Sequence, residues 1–307
     1  MQTAGSDQPM ELRPRRATEL IDVAFQLWRR TFRSLLKVSS VVAVVFASVS
    51  AISAFKNVES SELSGGTSGL GIALGPLSIV AVFVYSLALI PVLHNSFVDG
   101  GSSTTDALKK GLRNGPKAVA YTLTSLIAFV ALALVGSVAL LFAVGALTVV
   151  SKIGGILGIL LLIIIGIVGY VFGLVAILGI GTRFQVGVVA MVIEGVGVFD
   201  AIRRGFRLTK GRWLAFGGTQ AIIFFLSYLV ILIPVGIAFA ATKSAGSRQV
   251  NFAFASFLGS LLFIFWWVPV YTGLGVAMYV DSRIRREAID LDGLTGKLSD
   301  GWSPTGS

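Results

Sequence analysis

Six stretches of this sequence, at 38–55, 70–93, 118–151, 153–182, 214–242 and 250–280, contain no Asp, Glu, Lys or Arg. The first approaches, and the other five exceed, the roughly 20 apolar residues that a helix needs to cross a bilayer. Lipid offers the backbone no hydrogen-bond partner, so each run has to pair its own N–H and C=O groups, which a helix does. Composition agrees: 55% of the chain is hydrophobic and 13% charged, where a soluble domain is about a quarter charged. The expected fold class is an all-α polytopic integral membrane protein with six transmembrane helices.

The charges between the runs set a topology. Net charge is +10. Of the 25 lysines and arginines, 21 lie before the first run, between the second and third, between the fourth and fifth, or after the sixth. Lys56, Lys152, Lys243 and Arg248 occupy the other side. The positive-inside rule then places both termini in the cytoplasm, with the protein in a bacterial inner membrane. Because the basic residues follow that rule, no nucleic-acid partner is required. A cleaved signal peptide is disfavoured, since all of 1–37 would be its n-region and would itself form a helix.

Several chemistries are excluded at once. With no cysteine there is no disulfide, thiolate nucleophile or thiolate metal site. The single histidine, His94, reads as a polar cap on the second run, and no ionisable partner at membrane depth could complete a proton relay with it. Gly69, Gly71 and Gly75 do not have the G-x-G-x-x-G spacing, and no G-K-[ST] occurs. Neither a catalytic residue nor a cofactor or metal site is expected.

Residues 1–12 and 293–307 read as disordered tails around a membrane domain at 13–292. Basic amphipathic segments near 18–37, 104–115 and 198–213 read as cytoplasmic surface helices. Residues 56–69 read as a polar loop, Lys152 as a tight hairpin, and Gly115-Pro116 as a helix break. Asp22, Asp106 and Asp200 each stand seven residues before an arginine, Arg29, Arg113 and Arg207. Each segment introduces two runs, which indicates three pseudo-repeats of surface helix plus hairpin. Trp266 and Trp267 fall inside the sixth run, away from an interfacial aromatic belt.

The strongest local signal is 194–213, E-G-V-G-V-F-D-A-I-R-R-G-F-R-L-T-K-G-R-W. On a helix, Phe199, Ile202, Phe206 and Trp213 fall on one side and most of Arg203, Arg204, Arg207, Lys210 and Arg212 on another. Such a helix beside membrane spans lies on an anionic leaflet. This segment, R-P-R-R-A-T-E-L-I-D-V-A-F-Q-L-W-R-R-T-F at 13–32 and Y-V-D-S-R-I-R-R-E-A-I-D-L at 279–291 together resemble a known family. It is the membrane domain attached to some bacterial glycerophosphoryl diester phosphodiesterases and found alone in other bacterial membrane proteins. The resemblance covers about residues 13–291 and implies a six-helix module. It does not carry the phosphodiesterase activity, which in that family belongs to a separate soluble barrel with paired histidines, carboxylates and a metal.

The candidate contact for an anionic headgroup or phosphate is Arg203, Arg204, Arg207, Lys210 and Arg212 converging with Arg283, Arg285 and Arg286, arginine being suited to bidentate phosphate contacts. The competing reading is structural, with Glu194, Asp200, Asp281, Glu287 and Asp290 pairing with those arginines to lock the layer. The expected function is a non-catalytic membrane module that scaffolds or regulates partners or engages anionic lipid. The alternative is a passive transporter or lipid-translocating protein with a cavity between hairpins. Expected partners are anionic membrane lipids, with a protein partner or a second copy as the alternative.

Overall fold

The computed structural model describes residues 15–64, 69–98, 109, 113–242 and 248–301. It is 95% helical and, among the described residues, has no strand. In order, the elements are α1 (Ala17–Ser64), α2 (Gly69–Val98), α3 (Gly115–Glu194), α4 (Val198–Leu208), α5 (Trp213–Thr242), α6 (Arg248–Leu262), a π-helical turn (Phe263–Trp267) and α7 (Val268–Gly301). Among the described residues, three segments are long and apolar enough to cross a membrane: Gly173–Glu194, Trp213–Ala240 and Val250–Glu287. Val42–Lys56 and Ala81–Phe97 are shorter apolar helices.

Several boundaries differ from the sequence reading for one physical reason: a helix already nucleated extends at little cost. The basic segment at 18–37 is continuous with the apolar run after it. Lys56–Ser64 is helical where a loop was expected, and α7 continues past Gly293 to Gly301. Lys152 is helical too, and α3 breaks at Gly155, whose φ of 54° suits only glycine. Pro116 sits in the first turn of α3, where its missing N–H is harmless, so it opens that helix. The expected surface helix near 104–115 lies largely outside the described residues.

Burial divides the molecule into two tiers. At the end carrying the basic side chains, α7 is enclosed on all sides from Thr272 to Ser282. Leu20, Val23, Ala24 and Leu27 of α1, Leu87–Leu93 of α2, Val186, Val189 and Val192 of α3, and Ala201 and Leu208 of α4 share this core. At the other end the helices turn large apolar side chains outward, among them Val44, Ile52, Leu126, Ile164, Ile233 and Phe254. Such a surface is stable only against lipid or another apolar surface.

Glycines set the geometry of the second half. Gly195, with φ 73°, ends α3 and donates its N–H to the Met191 carbonyl. Gly211, with φ 84°, turns α4 into α5. In between, α4 runs back along α3 at backbone contact. A Cβ on Gly205 would lie 2.1 Å from the Arg183 carbonyl oxygen, one on Gly187 2.7 Å from that of Ala201, and one on Gly217 2.3 Å from that of Val175. Small residues allow this close approach, as they do between membrane helices. The buried face of α4 is therefore Ala201, Gly205 and Leu208. Phe199, on the same side of α4 as Phe206, is 77% exposed.

The tryptophan pair has a structural explanation. Pro269 has no N–H for the Phe265 carbonyl four residues back. The helix loosens into the π-helical turn just before it, and Trp28 of α1 donates its indole N–H to that carbonyl at 3.1 Å. Trp266 packs edge-on against Trp28, with ring centroids 4.8 Å apart. Trp267 contacts Phe224 and stacks on Tyr271. These tryptophans join helices to one another instead of marking a membrane surface.

Candidate functional site

Arg204 projects from the α4 face beside Ala201 and Leu208, towards the ends of α3 and α7. Its Nε lies 2.8 Å from Glu194 Oε2 and its Nη2 2.9 Å from Oε1, a bidentate fork. Nη2 also reaches Glu287 at 2.6 Å. Burial works against the Arg204 charge, but the hydrogen bonds and the field of the two glutamates outweigh it and hold its pKa above the usual arginine value. Glu194 also accepts the Tyr279 hydroxyl at 2.7 Å, and Arg283 binds Glu287 at 2.6 Å.

A second knot forms around Asp281, whose side chain is almost wholly buried. It accepts from Arg212 at 2.6 Å, from Arg285 at 3.1 Å and from the Arg15 backbone N–H at 2.7 Å. Arg285 also donates to the Arg15 carbonyl. Arg286 donates from Nε to the Leu208 carbonyl at 3.2 Å and from Nη2 to that of Lys210. Arg15 just before α1, the α4–α5 turn and α7 are thereby fastened together by charge-assisted bonds.

Between these knots opens a cavity of about 670 Å³, lined by Arg204, Arg207, Leu208, Lys210, Arg212, Ser282, Arg285, Arg286 and Glu287. Six of the predicted basic residues meet there, opposed by one lining carboxylate. Arg207 and Lys210 are exposed, and neither side chain has an ion pair among the described residues. The result is a positive recess whose walls are held by paired arginines while two further cations stay open to a ligand.

Not every predicted member belongs to it. Arg203 is exposed and does not line the cavity. The same helical rotation that buries Ala201 and Gly205 turns it away. Arg283 lies behind the wall, spent on Glu287 and Tyr279. Asp200, expected as a charge partner, is exposed in the first turn of α4 and has no ion pair among the described residues. The side chain of Asp290 lies outside the described residues. His94 sits on α2 with its ring 6.4 Å from that of Tyr279, against the same end of the bundle.

Two features escaped the sequence reading. Arg183 lies with its Cζ 4.9 Å from the Phe206 ring centroid and 5.1 Å from that of Trp213. A cavity of about 250 Å³ lies deeper, bordered by Ser86, Tyr121, Ser125, Gln185, Tyr271 and Thr272 among apolar side chains. Gln185 donates to the Tyr271 carbonyl at 2.7 Å and accepts from Gln220. Gly275 leaves room for the Gln185 amide, which would lie 2.8 Å from any Cβ there. Uncharged polar residues inside apolar runs give no periodic signal, so only packing could gather them. Among the described residues no three His, Asp or Glu side chains gather as a metal would require.

Comparison of the chain with protein-family models, with curated proteins and with solved structures gives no match.

Proposed function

We propose that this chain is a non-catalytic integral membrane module that engages a phosphate-bearing anionic lipid headgroup through the cavity at its basic end. The observation that carries this reading is the juxtaposition of exposed Arg207 and Lys210 with a wall of arginines already fixed by Glu194, Asp281 and Glu287. A site whose walls are held before binding loses little side-chain entropy on binding. An anionic headgroup supplies the missing negative charge. In the full arrangement six spans form three pseudo-repeats in a bacterial inner membrane, with both termini and the basic tier in the cytoplasm. The resemblance to the membrane domain of glycerophosphoryl diester phosphodiesterases supports a six-helix module of this kind.

The test is native mass spectrometry of protein extracted gently with its own lipids. Wild type is expected to retain a defined anionic phospholipid, and Arg207→Ala/Lys210→Ala to lose it. Equal retention by the double variant overturns the cavity as the site. Co-extraction of a protein partner without lipid would make the basic tier a scaffold. The deeper 250 Å³ cavity favours one alternative, a passive route for a solute or lipid between helices. That reading predicts flux in proteoliposomes above empty liposomes, blocked by Gly181→Leu in the cavity wall.

A further inference from the structure

We infer that Arg183 forms a second lipid site, on the opposite flank of α4 from the basic cavity, which holds the phosphodiester of a membrane phospholipid. The inference rests on the reading of this chain as a membrane protein with its basic tier at the bilayer surface. It does not depend on the cavity being occupied.

Arg183 is unlike the arginines of the cavity wall. Arg204, Arg212, Arg285 and Arg286 each have a carboxylate or a backbone carbonyl. Arg183 has no ion pair among the described residues, and its buried Nε has no acceptor. It stands eleven residues before Glu194, roughly 16 Å along the helix from the Arg204 knot. Its guanidinium is held by the faces of Phe206 and Trp213. These contacts hold the Cζ against both rings and leave the terminal Nη donors, unlike the enclosed Nε, without a protein partner among the described residues.

The holder is rigid. Gly205 abuts the Arg183 carbonyl, and Gly179 lies where a Cβ would sit 2.6 Å from the Trp213 carbonyl. Both aromatic walls are thus set by backbone contact, and Phe206 is braced edge-on by Phe184, with centroids 5.6 Å apart. The two Nη donors of a positioned guanidinium suit a phosphate oxygen pair.

Its position specifies which phosphate. Leu214, next to Trp213 on α5, and Phe206 itself are exposed apolar side chains beside it, while α4 carries basic residues beyond it. Trp213 opens a membrane-crossing segment, a usual interfacial place for tryptophan. At 100° per residue, Phe199 and Phe206 lie within roughly 20° of each other, and Leu208 of the cavity wall lies roughly 160° from Phe206. Phe199 shares that side of α4 but lies two turns, roughly 10 Å, further from the apolar tier. A free phosphate ion could use the guanidinium, but only a lipid also covers the exposed Phe206 and Leu214 beside it.

The experiment titrates delipidated protein with phosphatidylglycerol and counts adducts by native mass spectrometry. Thermal denaturation without lipid checks that each variant folds. Arg183→Met, which keeps the stem against the rings, is expected to lose one adduct or bind it at least about tenfold more weakly. Arg183→Lys, which keeps charge without the planar fork, is expected to fall between. Arg207→Ala/Lys210→Ala should leave this adduct in place, so the two sites fail separately. Unchanged binding by a folded Arg183→Met protein overturns the inference. Displacement of the adduct by millimolar inorganic phosphate overturns the assignment to lipid.

Discussion

Asp281 draws a buried carboxylate, two arginines and the backbone of Arg15 to one point. Replacing it with Ala leaves Arg212 and Arg285 without counter-charge, but both are about one-third exposed and can turn to water. The expected loss is about 2 kcal/mol, below the 3–5 kcal/mol of a fully buried pair broken on one side. Thermal unfolding in detergent checks it, and a shift no larger than that of Arg203→Ala would make the knot ornamental. Asp281 was recognisable in the sequence as a carboxylate among arginines. Its burial was not, because enclosure depends on α1, α2 and α4 closing around α7. Arg183 escaped for a related reason: a single arginine between apolar runs reads as a topological charge until two aromatic rings are placed around it.

At the scale of elements, the α3–α4 seam depends on glycine at chosen positions. Gly205→Ala drives a methyl into the Arg183 carbonyl and must part the two helices, at a cost of about 1–3 kcal/mol. Gly218→Ala meets no atom within 4 Å and should be neutral or stabilising by up to about 1 kcal/mol through helix propensity. Comparable melting temperatures for the two variants would remove backbone contact as the reason for the seam. The π-helical turn offers a second test. Trp28→Phe should cost about 1 kcal/mol by leaving the Phe265 carbonyl unpaired. In a Pro269→Ala background, where a backbone N–H becomes available to that carbonyl, the same change should cost less. Additive losses would separate the tryptophan from the proline.

The whole molecule is a tightly packed basic tier from which apolar helices project with outward-facing side chains. Topology is its most direct test, and the absence of cysteine makes single-cysteine labelling clean. Arg203→Cys in intact cells is expected to resist a membrane-impermeant maleimide until the membrane is permeabilised, whereas Lys152→Cys should react from outside. Both reacting from one side would break the alternating topology. Removing the lipid belt with a harsh detergent should loosen the apolar tier before the basic one. Hydrogen exchange would then show Thr272–Ser282 protected longest, since that segment is enclosed on every side.

The sequence by itself determined the helical class and grouped eight basic residues, six of which line the cavity while Arg203 and Arg283 do not. The class and the grouping follow from local hydropathy and from charges close together along the chain or at a shared membrane face. Tertiary structure alone decided which of those cations are spent and which are free. It also pressed α4 onto α3 at Gly205 and built the aromatic holder around Arg183. The physical reason is common to all of them: hydropathy averages over a segment, whereas a backbone contact at Gly205 or a carbonyl freed by Pro269 is settled atom by atom when two helices meet.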